Sequence, residues 1–385
     1  MKNKILSIVV CTAMVLSLTA CGKSENPPAN QPETSSSSTV STPNNSKPTS
    51  TSTSAASGTP DVSSVTDASS APAGTPDTSS TPEAHKEVDW STVPYTDEFD
   101  FVVRYSEGGD YLNEFSGAVL SDYLGKEKVI NIPPTVGGQK VVSVSIRGNK
   151  DITDINIPEG VSKIDSRAFE NCTSLESVTI PDSVTEIENK AFSGCSSLTS
   201  VNIPGGVGKV GDGAFSGCTS LASINLPDSL AVIDKNAFEN CTSLASIDIP
   251  DSVTKIDNNA FRECTSLKSI TIPGSVTTIG DGWGYVFSGC TSLTSVTILD
   301  GVTYISAYAF ENCTSLTSVT IPGSVTSIDG GAFENCTSLT NITLPDSMTF
   351  IGKAFEGCPN IKVNYKGKEY DYDHLARLQT DINSF

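Results

Sequence analysis

Cys195-Ser-Ser-Leu198-Thr-Ser-Val201-Asn-Ile203-Pro204-Gly-Gly-Val207-Gly-Lys-Val210-Gly-Asp-Gly-Ala214-Phe215-Ser-Gly-Cys218 is one unit of a pattern that fills most of this chain. Its cysteine returns at Cys172, Cys195, Cys218, Cys241, Cys264, Cys290, Cys313, Cys336 and Cys358, at spacings of 23, 23, 23, 23, 26, 23, 23 and 22 residues. Self-similarity at such a period marks a solenoid. Ser200-Val201-Asn202-Ile203 alternates outward and inward, as a short strand does. Pro204 ends it, because proline has no N–H for a ladder. The residues after the proline suit a turn. Ala-Phe-x-x-Cys is too short for more than one helical turn and predicts 3₁₀ or irregular backbone. Each coil points roughly eight small or apolar side chains inward, more than it can bury alone, so stacked coils must share one core.

Two columns follow from the register. The phenylalanines from Phe169 to Phe355 recur at one offset and predict an aromatic stack in the core. The nine cysteines form a second column beside them. Adjacent coils bring such cysteines within disulfide range. Nine is odd, however, and a buried cysteine packs well as a small hydrophobe. Reduced, buried thiols are the expectation. No histidine accompanies them, which argues against zinc.

The unit closely resembles the BspA-like class of bacterial leucine-rich repeats over about residues 129–365. The resemblance implies a right-handed leucine-rich-repeat solenoid, β-rich, with a parallel sheet on the concave side. The convex segments are then the short 3₁₀ or irregular ones. It also implies a cell-surface protein engaged in adhesion or host-protein binding.

The ends depart from the pattern, as caps must. Residues 88–128 carry Trp90, Tyr95, Phe99, Phe101, Tyr105, Tyr111 and Tyr123 and predict an N-terminal cap of strands. Val129-Ile130-Asn131-Ile132-Pro133 reads as the first repeat strand and Ile361-Lys-Val363-Asn-Tyr365 as the last. Residues 366–385 form a C-terminal cap, with a short helix around 373–379.

The N-terminus reads as an address. Lys2 and Lys4 precede a short apolar run, Ile5 to Leu18, which is too short to span a membrane. Leu18-Thr19-Ala20-Cys21 resembles the lipobox of bacterial lipoproteins. That resemblance implies a signal peptide at 1–20 and a lipid on Cys21. Firm anchoring takes two or more chains. Residues 21–87 form a Ser/Thr/Pro-rich linker. From Gly22 on, more than half of it is Ser, Thr or Pro and none is aromatic. Such a segment cannot offset its ordering entropy by burial and predicts a disordered tether. The 66 residues from 22 to 87 reach roughly 200 Å when extended. The location implied is the outer face of the bacterial cell membrane, with the repeats displayed from the surface.

The charge of −20 lacks the basic face that phosphate binding needs. Nucleic acid is not an expected partner, and the membrane is reached through the lipid alone. With only His85 and His374, no Ser-His-Asp or Cys-His set is visible. No phosphate loop or metal motif appears, so no cofactor is expected and the chain does not read as an enzyme. Asp182, Asp228, Asp251 and Asp346 follow strand prolines, where turn propensity explains them. The Asn-x-Thr sequons at Asn171, Asn240, Asn312 and Asn335 follow from the repeat.

Two surfaces remain for a ligand. The outward positions of the concave strands, such as Ser200, Asn202, Ser223, Asn225, Ser246 and Asp248, make a polar grid without the Trp, Tyr or Arg anchors typical of binding hot spots. It either holds an extended polar ligand or merely keeps a sheet face soluble. The 26-residue coil carries an insertion, Gly280-Asp-Gly-Trp283-Gly-Tyr285-Val-Phe287. Tyr285 and Tyr308 share one column; Tyr304 and Phe350 share a neighbouring one. These five aromatics are expected on one flank, either as an exposed patch for a protein or glycan or packed against each other. The reading is a monomeric surface lipoprotein presenting a binding module. The alternative is an envelope scaffold or spacer with no soluble ligand.

Overall fold

The computed structural model describes residues 88–107 and 116–384. The signal peptide at 1–20, Cys21, the linker 21–87 and Tyr111 lie outside the described residues. Residues 129–365 wind into a solenoid whose coils each have three sides. One side holds two-residue and slightly longer strands, one per coil, from Lys163–Ile164 to Phe350–Ile351. They pair coil to coil into a single parallel sheet of nine. Val210, for instance, stands opposite both Ile187 and Ile233.

The side expected to carry the concave sheet is parallel too, but interrupted. Val129–Asn131, Asp154–Asn156 and Ser177–Thr179 form one sheet. Ser200–Asn202 and Ser223–Asn225 form a second, and Ser269–Ile272, Ser295–Ile298 and Ser318–Thr320 a third. Ser246 and Asp248, expected on a strand, lie in a segment with no strand assignment. Leu226 and Ile249, the inward residues at this point, are only partly buried. The coils are therefore less tightly drawn together here.

The third side is made of turns, the irregular alternative of the 3₁₀ or irregular backbone expected there. Two residues per coil take the left-handed conformation. Lys190, Asn236, Tyr285 and Tyr308 are in the first such column, and Asn171, Asn240, Asn312 and Asn335 in the second. Asn and Gly tolerate this region best, which accounts physically for the repeated Asn-x-Thr. Three N–H groups per coil then donate to the next coil. Lys190 donates to Asp212 at 2.8 Å, Phe192 to Ala214 at 2.7 Å and Gly194 to Ser216 at 2.7 Å.

The phenylalanine column is a continuous stack. Ring centroids stand 5.2–5.6 Å apart and within 12° of parallel from Phe169 to Phe355. Phe261 and Phe287 flank the three-residue insertion, yet they stack at 5.2 Å and 2°. All nine cysteines are free and buried. Each thiol from Cys195 on donates to the phenylalanine carbonyl of the preceding coil, as Cys195 does to Phe169 at 3.1 Å. Burial pushes the Cys172 thiol up to about 11 and Cys358 up to about 12.

Both ends carry added elements. At the N-terminus Phe101–Glu107 pairs antiparallel with Ser116–Tyr123, which pairs in parallel with Gln139–Val144. A strap ahead of this hairpin crosses the first three coils. Trp90 donates to Thr179 Oγ1 at 2.8 Å, and Asn131 Nδ2 to the Val93 carbonyl at 2.7 Å. At the C-terminus Lys368–Asp371 folds back antiparallel on Lys362–Tyr365. The helix Leu375–Asn383, longer than expected, buries Leu378 and Ile382 against the last coil.

Candidate functional site

The 26-residue coil spends its extra residues in one bulge. Ile279 stands opposite Ile305 and Trp283 opposite Ala307, so Gly280, Asp281 and Gly282 oppose Ser306 alone. The glycines are required. Gly280 and Gly282 have φ of 71° and 53°. A Cβ on Gly280 would stand 2.7 Å from Ser306 Oγ, and one on Gly284 would overlap it. Ser306 is fully buried in this box, and its hydroxyl has no hydrogen-bond partner. The bulge is held at its tip by the Asp281 N–H, which donates to Asn258 Oδ1 at 2.8 Å.

The bulge delivers Trp283 to the surface, 71% exposed. Its ring lies 5.6 Å from Tyr308, tilted by 46°. Tyr308 in turn stacks on Tyr285 at 4.9 Å and 7°. Burial in this stack, with the carboxylate of Glu311 adding to it, pushes the Tyr285 phenol above its ordinary value. Tyr285 and Tyr308 both hold left-handed backbone, at φ 45° and 60°. A bulky side chain there is an outlier, at about 1–2 kcal/mol each. Such strain persists where the surroundings enforce it and is concentrated at functional sites.

Tyr304 and Phe350 do not join this trio. They stand in one column of the nine-stranded sheet with Ser327 between them. Tyr304 donates to Asp329 Oδ2 at 2.5 Å. Burial and that carboxylate both raise its pKa well above the ordinary phenol range. The bond has a structural precedent in the chain. Lys163 reaches Glu188 at 2.6 Å and Lys209 reaches Asp234 at 2.7 Å, each from the same column to the acid one coil on. Tyr304 therefore stands in for a ladder lysine. Phe350 is 43% exposed at the end of the sheet.

On the polar face Ser200, Asn202, Ser223, Asn225, Ser246 and Asp248 are all exposed. Between residues 246–249 and 269–271 the interrupted pairing leaves a slot of about 140 Å³. Over the first coils this face is already occupied by the strap from Trp90 to Thr96.

The repeat unit of these coils matches the pattern of the BspA-type leucine-rich-repeat region at residues 143–268 and 258–369, more than half of the chain. The chain belongs to the BspA-type leucine-rich-repeat family. Three solved structures of bacterial proteins are similar to it. A leucine-rich cell surface protein of Faecalibacterium prausnitzii is 27% identical over 76% of this chain and 98% of its own, at a TM-score of 0.39. A leucine-rich-repeat protein of Bacteroides ovatus is 29% identical over 69% and 94%, at 0.31. The T. pallidum leucine-rich-repeat protein is 29% identical over 64% and 91%, at 0.39. No curated protein matches the chain.

Within these BspA-type repeats, Asp329 and Ser306 are residues that shape the flank and that sequence reading passed over. Both lie at the repeat offset of Asp165, Glu188, Asp234 and Asp257, so the column itself was the available signal. Among the described residues no group of three His, Cys, Asp or Glu side chains is placed to hold a metal ion. Nor is any helix there long and apolar enough to cross a membrane.

Proposed function

We propose that this BspA-type protein is a surface-displayed binding module, held at the cell membrane by a lipid on Cys21, whose protein or glycan ligand docks on Trp283, Tyr285 and Tyr308. The observation that carries the reading is a joint one. The 26-residue coil exposes a tryptophan, and beside it two stacked tyrosines occupy backbone that favours glycine or asparagine. Relieving that strain would take only the residues found at the same offset elsewhere, Gly213 or Asn236. Rigid aromatic surfaces with polar tips suit both protein hot spots and sugar faces. The family match and the similarity to a leucine-rich cell surface protein agree with display at the surface. Tyr304 and Phe350 lie outside the docking trio, and the polar face with Ser200, Asn202, Ser223, Asn225, Ser246 and Asp248 is the secondary surface.

The test is a binding screen of the purified protein against extracellular-matrix proteins, mucins and a glycan array, with Trp283→Ala alongside. A saturable hit lost in the variant supports the flank. A hit retained in it moves the site to the polar face. Absence of any hit favours the envelope scaffold or spacer, a reading supported by the lack of aromatic anchors on the polar face.

A further inference from the structure

At its C-terminal end the solenoid is capped on two sides. On the nine-stranded side, Asn383 brackets Ile351. Its Oδ1 accepts from the Ile351 N–H at 2.9 Å and its Nδ2 donates to the Ile351 carbonyl at 3.1 Å. On the polar side, the antiparallel strand Lys368–Asp371 covers Lys362–Tyr365. The turn side has no such cover. In the coil before the last, Gly331 donates to Lys353 at 2.9 Å, Phe333 to Ala354 at 2.8 Å and Asn335 to Glu356 at 2.8 Å. The matching donors of the last coil are the N–H groups of Lys353, Phe355 and Gly357. Among the described residues no carbonyl meets them.

A groove of about 240 Å³ runs along this edge, between residues 352–356 and the helix residues Leu375, Ala376, Leu378 and Gln379. Ala354 and Phe355 are buried and give it an apolar base. A row of unpaired donors beside an apolar groove is a template for another chain. We propose that this groove takes one segment of a partner polypeptide, turned as the coils themselves are on this side and laid on the solenoid as a further rung.

The contact between successive coils defines the occupant's chemistry, because the groove continues that interface. Gly213, Phe215 and Gly217 are met by the carbonyls of Lys235, Ala237 and Glu239. The occupant therefore offers carbonyls at alternate residues. Within that stretch it carries a small side chain followed by a large apolar one, as Ala237-Phe238 does, to lie against Ala354 and Phe355. This site uses none of the aromatics of the flank and stands or falls apart from the proposed function.

The probe is a labelled peptide with the sequence of residues 232–244, its cysteine replaced by serine, added to the full chain. The expected result is saturable binding, with slowed hydrogen exchange at the Lys353, Phe355 and Gly357 amides. Ala376→Arg, which puts a long charged side chain into the groove, should weaken it about tenfold or more. Absence of saturable binding overturns the proposal. So does binding that leaves those three amides unprotected, or equal affinity in a folded Ala376→Arg variant. Should that variant fail to fold, the exchange measurement on the unaltered chain decides alone.

Discussion

Tyr285 and Tyr308 lie ring on ring, 4.9 Å apart, at the same offset in successive coils, and both rings are carried on backbone with positive φ. Two opposing effects meet at this pair. The stack contributes about 0.5–1.5 kcal/mol beyond the area it buries. Each left-handed tyrosine costs about 1–2 kcal/mol. Tyr285→Asn removes both together. Thermal or denaturant unfolding of this variant should show stability unchanged to within about 1 kcal/mol, while ligand binding is lost. A loss of several kcal/mol would mean that the stack is there for stability.

Ser306 supplies a second test of the same coil. Its buried hydroxyl has no partner, and such a group costs about 1–3 kcal/mol of desolvation. Ser306→Ala should raise the unfolding free energy by roughly 1 kcal/mol. A variant that loses stability would show that the hydroxyl is satisfied in solution.

Tyr304 is the flank residue with a purely structural explanation. Tyr304→Lys recreates the pairing seen between Lys209 and Asp234 and should leave stability within about 1 kcal/mol of the parent. Titration with the confirmed ligand should give unchanged affinity. A clear loss of affinity would move Tyr304 into the site.

The thiols make stability fall with alkali. Burial raises the folded-state values of Cys172, Cys195, Cys218, Cys241, Cys264, Cys290, Cys313 and Cys358 above the ordinary 9.0, up to about 11 for Cys172 and about 12 for Cys358. Above pH 9 the unfolded chain releases thiol protons that the folded chain keeps, so unfolding is favoured as pH rises. Each such thiol takes away about 1.4 kcal/mol per pH unit until its folded value is reached. Unfolding curves collected between pH 8 and pH 11 should fall steeply above 9. A chain with Cys218 and Cys241 both changed to alanine should show a shallower fall.

The core itself is tested at mid-stack. Phe238 is fully buried between Phe215 and Phe261. Phe238→Ala should destabilise by about 3–5 kcal/mol. Far-UV circular dichroism during denaturation would register this as an early transition.

The repeat was legible because its spacing is a property of the chain alone. A residue that recurs every 23 positions with the same neighbours must meet its own copies in space, so the Phe and Cys columns and the first and last strands could be read directly. The shared column of Tyr285 and Tyr308 was legible for the same reason. What spacing does not carry is the backbone of each turn and the strength of pairing between coils. Nothing in the letters Ser246 and Asp248 distinguishes them from Ser223 and Asn225, yet only the latter pair sits on a strand. The Trp90 bond to Thr179 spans 89 residues and depends on how the cap lies over the first coils. Tyr304 looked like a member of the aromatic patch because the acid facing it, Asp329, lies one full coil away.

The bulge at Gly280–Gly282 adds three residues to one coil while the rings on either side of it remain in contact at 5.2 Å. Core and surface are thereby uncoupled in this architecture. The corresponding corner of any other coil is a place where the chain can gain a loop, lose one or exchange one without repacking anything beneath it. Natural variation in this chain, and any attempt to give it a new specificity, would be expected to concentrate at that corner and to leave the phenylalanines untouched.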